Sequence, residues 1–364
     1  MKDMKMKHLI LLMALAFSTV VACNASSAES KVAASAAAPA SSNLPLNLGF
    51  LEKIGVDVSK ILELSNNDRE FFDGTLEKEQ VLALLPMLSR MSADELDRDY
   101  NIRGAKALPH GLTMLLYSVE TGDDSTTELL AIYDKDGVLT DYMQLEDWDG
   151  FAVLQCDASF DKGLAEVTDT KLTFASPSEF VLDETVKEGS WHREGDDGSI
   201  SSDLTDLRCL VQTLRRYSID DKGHMALVEE KVVKREGKFA PESERNPIYY
   251  FYRLPASDHS RIDRLNEMVN ERIAQASSEE EFEEENGFVI QMVVGEVFAA
   301  SPDALLNWFY KNRKTKSALV GYFKSIFADG WVEKSVLDQE IDKLPDAAAK
   351  KYLKNLTASW NPGQ

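Results

Sequence analysis

Between residues 105 and 256 the chain passes from one short β-rich run to the next, and this text constrains the fold more than any other feature. The runs are LTMLLYSVE, TELLAIYD, VLTDYMQL, FAVLQC, KLTFAS, EFVLDETV, CLVQTLRRYSI, HMALVEEKVV and IYYFYRL. Turn residues separate them, at Gly122-Asp123, Asp136-Gly137, Lys162-Gly163, Pro177 and Lys222-Gly223. Short strands at close spacing with tight turns predict an antiparallel meander, hence a curved sheet, a sandwich or a barrel. Strand–helix–strand alternation, the mark of a parallel sheet, does not occur. Two hairpins are alike in pattern: AIYDKDGVLTDYMQL and YSIDDKGHMALVEE both run strand, acidic turn with glycine, strand. Asp and Gly favour such turns on local grounds, so the likeness does not by itself imply duplication.

The flanks change period. Over 44–104, Phe50, Leu51, Ile54, Val58, Ile61 and Leu62 recur at helical spacing. In GTLEKEQVLALLPML, Thr75 opens an apolar run that Pro86 closes, and Ser92 with Glu95 forms a capping-box pattern. Over 257–364, RIDRLNEMVNERIAQ is amphipathic, and Ser301-Pro302-Asp303 is a helix start with proline at the first position. ALLNWFYKNR, SALVGYFKSIF, KSVLDQEIDKL and AAAKKYLKNLTASW then predict a small helical bundle. FVIQMVVGEVFA fits either a strand or a buried helix. The expected class is α+β, an antiparallel β-domain over 105–256 flanked by helices at 44–104 and 257–364.

The first residues read as an address. Lys2, Lys5 and Lys7 precede an apolar run from Leu9 to Ala22, too short for a comfortable membrane span. The order Val20-Val21-Ala22-Cys23 resembles the lipobox of bacterial lipoproteins. That resemblance implies cleavage before Cys23, acylation of its thiol, and anchoring of the chain to the bilayer of the cell envelope. Asn24 stands where an aspartate would mark inner-membrane retention, so the resemblance implies the outer membrane, without specifying the leaflet. The other reading is a plain signal peptide cut near Ala28. Residues 25–43, ASSAESKVAASAAAPASSN, are too poor in large apolar groups to offset their ordering entropy, and read as a flexible tether. The expected organisation is therefore 1–22 leader, 23–43 lipidated cysteine and tether, then the body. Phe288 to Tyr310, the most apolar later stretch, is interrupted by Glu296, Ser301, Pro302 and Asp303.

A net charge of −22 argues against nucleic-acid binding, since a polyanion would be repelled. Besides Cys23 the chain holds Cys156 and Cys209. In an oxidising envelope an even pair suits a disulfide; the alternative is two separate buried thiols.

Motifs for chemistry are sparse. Asp134-Lys135-Asp136-Gly137, with Asp141 beyond, has the acidity of a calcium loop, but its glycine comes fourth where an EF-hand needs it sixth, and the turn reading is preferred. Glu146, Asp147 and Asp149 surround Trp148, and a second polar loop carries Trp191, His192, Arg193, Asp196 and Asp197. Carboxylates beside an indole are the pieces of a sugar site, and two held at a fixed spacing serve a hydrolase; a surface loop needs nothing more. His110, His192, His224 and His259 make no metal-binding spacing, the cysteines lack CxxC spacing, and no GxSxG, P-loop or dinucleotide fingerprint occurs. Ser159 to Lys162 matches SxxK by letter alone. Lys311, Arg313, Lys314 and Lys316 form a basic cluster at a helix C-terminal end, favourable to the helix dipole and, on a tethered protein, compatible with anionic lipid. No cofactor or metal is expected. The sequence points to an anchored binding or protein-interaction module, its partner an envelope protein or a small ligand, with a carbohydrate-active or other hydrolase near Trp148 as the alternative.

Overall fold

A computed structural model describes residues 44–64, 75–91, 98–120, 126–145, 164–193, 200–239, 254–275, 290–291, 293–315, 317–328 and 332–358. Two four-stranded antiparallel meanders form its β-structure. Sheet 1 is β1 (Asp99–Ala107), β2 (Thr113–Glu120), β3 (Thr126–Tyr133) and β4 (Leu139–Gln144), in that spatial order. Sheet 2 is β5 (Leu164–Ser176), β6 (Glu179–Arg193), β7 (Ile200–Ile219) and β8 (Met225–Gly237). Short helices α1 (Gly49–Lys53) and α2 (Lys78–Leu84) precede the sheets. Helices α3 (Ser260–Gln275), α4 (290–291 and 293–300), α5 (Pro302–Asn312), α6 (Ala318–Ala328), α7 (Lys334–Lys343) and α8 (Ala347–Thr357) follow them. This is the expected α+β class, with two open sheets packed as a sandwich and no closed barrel. FAVLQC and the Ser92 capping box lie outside the described residues, as does IYYFYRL apart from Leu254.

Both acidic hairpin turns close by the same chemistry. Asp134 Oδ1 accepts the N–H groups of Asp136 and Val138, each at 2.9 Å. Asp220 Oδ1 accepts those of Lys222 and His224, at 2.9 and 2.8 Å. Gly137 and Gly223 then take φ of 84° and 87°, a region other residues adopt only at a cost. The Asp134 carboxylate is thus occupied in capping its own turn, as the turn reading required.

Sheet 1 is buried on both faces, which is why β2 is apolar almost throughout. One face, including Met114, Leu116, Leu130, Ile132 and Met143, packs on Leu172, Phe174, Phe180, Leu182, Tyr217 and Ile219 of sheet 2. The other, including Tyr100, Leu115, Tyr117, Ala131 and Tyr133, packs on Phe50, Leu51, Val81, Leu84 and Met87. Side chains alternate across a strand, so a single sequence register serves both interfaces. Within sheet 2 the inward face turns polar away from its turns. Arg215 is 1% exposed and holds Glu184 at 2.9 Å and Glu230 at 2.7 Å. Farther along, Cys209 is wholly buried and disulfide-bonded, while Cys23 and Cys156 both lie outside the described residues.

Edges are managed differently in the two sheets. At β1 the backbone of 62–64 bonds to Ala105, and Leu76 N–H bonds to the Tyr100 carbonyl at 2.8 Å. Gly104 permits this, because a Cβ there would lie 2.6 Å from Leu64 Cδ2. Strand β1 therefore begins inside the stretch read from sequence as helical; its alternation is broken by the bulge between Ile102 and Gly104. At β4, Ala256 N–H bonds to the Tyr142 carbonyl at 2.8 Å. Strand β8 is exposed from Val228 to Gly237. It carries two extra residues relative to β7 together with Lys231 and Lys234, features that discourage edge-to-edge pairing.

The helical flanks hold smaller corrections. Helix α2 starts at a capping box of Glu77 and Gln80, not at Thr75, which instead makes an isolated bridge to Asn101. FVIQMVVGEVFA is helical over its described residues. Ser301 precedes α5 but makes no capping bond; its hydroxyl donates to the Ala256 carbonyl at 3.2 Å. In the bundle core Phe309 stacks on Phe323 with centroids 4.1 Å apart. Asp346 caps α8, accepting from Ala348 at 2.7 Å and Ala349 at 3.2 Å.

One carboxylate joins the parts. Asp141 Oδ2 accepts Met225 N–H at 2.7 Å and the Ser257 hydroxyl at 2.6 Å. Its Oδ1 accepts Tyr142 N–H at 2.9 Å and Ser257 N–H at 3.0 Å. Burial pushes the carboxyl above its ordinary value, against the pull of these four donors. A raised folded-state pKa means that the folded protein holds this proton more tightly than the unfolded chain. The resulting stability is complete below the unfolded value of 3.8 and is lost as pH rises through the raised folded value. Replacing Asp141 by Asn strands buried donors and is expected to cost on the order of 2–3 kcal/mol near neutral pH. That gap between wild type and D141N is expected to widen as pH falls towards about 4, since all other groups cancel in the difference. Urea unfolding of both proteins across this range is the check; a gap that narrows would show a depressed carboxyl pKa.

Candidate functional site

A concavity lies where the N-terminal segment, sheet 1 and the C-terminal bundle meet. Helix α2 ends before Pro86, and the Leu88 N–H that would serve the Leu84 carbonyl in a continued helix bonds to Leu85 O instead, at 3.0 Å. A buried phenol takes its place: Tyr133 donates to Leu84 O at 3.1 Å, and Tyr117 donates to the Tyr133 oxygen at 2.7 Å. Burial pushes both phenols well above their ordinary range, so they remain neutral donors. The chain then tightens into a 3₁₀ turn, Pro86–Arg90, held against the face of sheet 1.

Arg90 extends from that turn to the bundle. Its Nη1 donates to the Ala299 carbonyl at 2.5 Å, and its Nε lies 3.2 Å from Glu340 Oε1, which Lys343 also approaches at 2.8 Å. Ala299 sits in the last turn of α4, where carbonyls lack helical partners and a cation is favoured. Ala299 is itself wholly buried in the core of the N-terminal helices and sheet 1. Arg90 is therefore the polar strut of a seam whose apolar part is Ala299.

A cavity of about 80 Å³ opens along this seam. Its floor is the helix-side face of sheet 1, with Tyr100, Val119, Leu129 and Tyr142. Met87, Leu88 and Met91 form one wall. Leu254, Arg261 of α3 and Glu296 of α4 close the opposite side, and Arg98, Thr127 and Gln144 complete the polar fringe. Burial pushes the Tyr142 phenol far above its ordinary value; Arg261 then lowers it and Glu296 raises it, followed by Arg90 and Asp141. The cavity lining thus combines apolar side chains and the neutral phenol of Tyr142 with charges of both signs, of which Arg261 is itself buried. Such a combination suits binding and orientation of a small group.

The residues singled out from sequence fall elsewhere or outside. Glu146, Asp147, Trp148 and Asp149 lie outside the described residues, as do Asp196, Asp197, Ser159, Lys162 and Lys316. Trp191 and His192 belong to the backbone of β6, without described side chains. His110 sits in the β1–β2 turn with φ of 63°, and His224 Nδ1 lies 3.3 Å from its turn partner Asp220. Arg313 donates to the Tyr310 carbonyl and packs over the Tyr310 and Tyr352 rings, at 3.9 and 5.3 Å to the centroids, matching the helix-end reading. Sequence reasoning did not find the seam cavity. Its one local sign was Pro86 inside an otherwise helical run. Among the described residues no group of metal ligands gathers, and no helix is long and apolar enough to cross a membrane. In comparisons with known proteins, the chain matches no family profile, no curated protein and no solved structure.

If Arg90 is the strut, Arg90→Met should loosen the bundle while leaving the sandwich intact. We expect a loss of about 1.5–3 kcal/mol, typical of hydrogen bonds to a charged group. Amide hydrogen exchange in 293–300 should accelerate by tenfold or more while β2 and β7 keep wild-type protection. Uniform acceleration over the whole chain would contradict a role confined to the seam.

Proposed function

We propose that this protein is an envelope lipoprotein, anchored through acylated Cys23, whose body is a small-ligand-binding module with the seam cavity as its site. The cavity carries the reading: a concavity bounded by three parts of the fold, lined mostly by apolar side chains with a few polar and charged ones. Its volume of about 80 Å³, roughly half that of a benzene-binding cavity, would accommodate a short branched alkyl group. The leader and Val20-Val21-Ala22-Cys23 support the anchor, and two or more acyl chains would make membrane release slow. The residues of the hydrolase reading, Glu146, Asp147, Trp148 and Asp149, lie outside the described residues.

Two measurements test it. Incorporation of labelled palmitate should be lost in Cys23→Ser, with the protein leaving the membrane fraction; continued membrane retention would overturn the anchor. In a thermal-shift screen of small aliphatic compounds, a ligand at a hundredfold excess over its Kd should stabilise by about 2.7 kcal/mol. Leu88→Phe, which fills the cavity, should abolish that shift. A shift that survives L88F would place the site elsewhere.

A further inference from the structure

We propose that the C-terminal end of α5, with the adjoining side of α8, is a membrane-contact surface that rests on anionic lipid headgroups through Lys311, Lys314 and Lys351. The anchored reading supplies the neighbouring bilayer; the inference goes beyond it by naming the face turned towards the lipid.

Charge is divided unevenly along the chain. In a protein of net charge −22, residues 302–364 hold ten Lys and Arg against seven Asp and Glu, so the whole acidic excess lies before residue 302. Several of these bases are already paired within the bundle. Lys334 approaches Asp338, Lys343 approaches Glu340, and Lys350 and Lys354 reach the carbonyl and the carboxylate of Asp342. Lys311, Lys314 and Lys351 differ. All three are exposed, and none of their ammonium groups has a partner among the described residues.

The helix dipole does not account for them, because other groups serve the carbonyls at the end of α5. Asn312 Nδ2 donates to Trp308 O at 3.0 Å, the Arg313 guanidinium to Tyr310 O, and Thr315 N–H to Asn312 O at 2.8 Å. Arg313 also fixes the patch. It lies over the Tyr310 and Tyr352 rings, whose centroids stand 5.7 Å apart. Lys311 follows Tyr310 and Lys351 precedes Tyr352, so this stack brings lysines of two helices to one place. Both tyrosines are half-buried, and a phenol with an apolar ring and a polar tip suits the headgroup level of a bilayer. One turn back, Trp308 Nε1 donates to Asp263 at 2.8 Å, which engages that carboxylate.

Three ammonium groups beside two amphipathic rings match a surface of fixed negative charge with an apolar margin. Each lysine close to such a surface strengthens attachment about fivefold. The acidic remainder of the protein is repelled by it, and over a screening length of about 8 Å local charge outweighs net charge. The twenty residues 24–43 can span up to ~70 Å, so anchoring does not by itself dictate which face meets the bilayer. Surface chemistry then selects it.

Lysine reactivity of the acylated full-length chain on vesicles tests the assignment. Protein purified from membranes is mixed with vesicles of phosphatidylcholine alone, or with one third of the lipid replaced by phosphatidylglycerol. Co-sedimentation reads attachment, and mass spectrometry after brief amine acetylation reads contact. On the anionic vesicles Lys311, Lys314 and Lys351 should be acetylated at least threefold more slowly, with Lys231 and Lys234 of β8 unchanged as the reference. Raised salt should abolish that difference. The double variant Lys311→Gln, Lys314→Gln should remove the protection of Lys351 while keeping the wild-type melting curve, since both side chains are exposed. Equal acetylation on both vesicles, with protein attached to both, would overturn the surface and leave the anchor standing. Attachment to anionic vesicles alone, with the three lysines protected, would support the surface and overturn the anchor. Attachment to neither would overturn both. Equal protection by soluble polyglutamate would give the patch to an acidic protein and overturn the lipid.

Discussion

The fold depends on the buried carboxylate of Asp141. Its two oxygens accept from Tyr142, Met225 and Ser257, so one side chain fixes strand β4, the start of β8 and the segment leading into the C-terminal helices. Apolar contact between sheets is non-directional and tolerates sliding, whereas hydrogen bonds to a carboxylate do not. Asp141 therefore sets the alignment within which the sandwich core packs. The buried Arg215 group differs in kind. It pairs with Glu184 and Glu230, both residues of sheet 2. Such pairs can often be replaced together by apolar groups at little cost. Asp141 has no such substitute, because its partners are largely backbone N–H groups that would remain buried.

With that alignment set, sheet 1 becomes the middle layer. Its two faces pack on sheet 2 and on the N-terminal helices, and both of its edges are covered by passing chain. Sheet 2 is covered less completely: β8 is exposed, and it is defended by lysines and bulges rather than by packing. The cavity lies where helical cover of sheet 1 changes hands, from the Pro86–Arg90 turn to α4. The space between them is filled only in part.

Much of the fold was readable because local chemistry dictated it. The Asp134 and Asp220 turns need an acid four residues before the residue whose N–H it caps and a glycine just before that residue, and both patterns stand in the sequence. The bundle helices could be read from their period and caps. Features that depend on distance in the chain could not. Asp141 looked like part of an acidic turn; its decisive partners, Met225 and Ser257, lie 84 and 116 residues away. Strand β1 was obscured because Gly104 answers to the approach of Leu64, not to strand propensity. The cavity draws on β-strands, a 3₁₀ turn and two later helices, each contributing residues that are ordinary in local context. Trp148 attracted attention for its type and neighbours, which are visible in a sequence in a way that concavity is not.

The placement of the cavity has an energetic consequence independent of what fills it. Met87 and Leu88 share a turn with Arg90, and Glu296 lies one helical turn from Ala299, the carbonyl Arg90 holds. Any group seated between these walls touches both sides of the seam. Its binding free energy is then also docking free energy of the bundle on sheet 1, because binding only to the docked form stabilises that form by mass action. The same linkage runs in reverse: weakening the Arg90 strut must weaken affinity by the fraction of time the seam is open. A site inside one rigid layer would have no such coupling. Seam position would thus tie the binding of any such group to the attachment of the C-terminal helices.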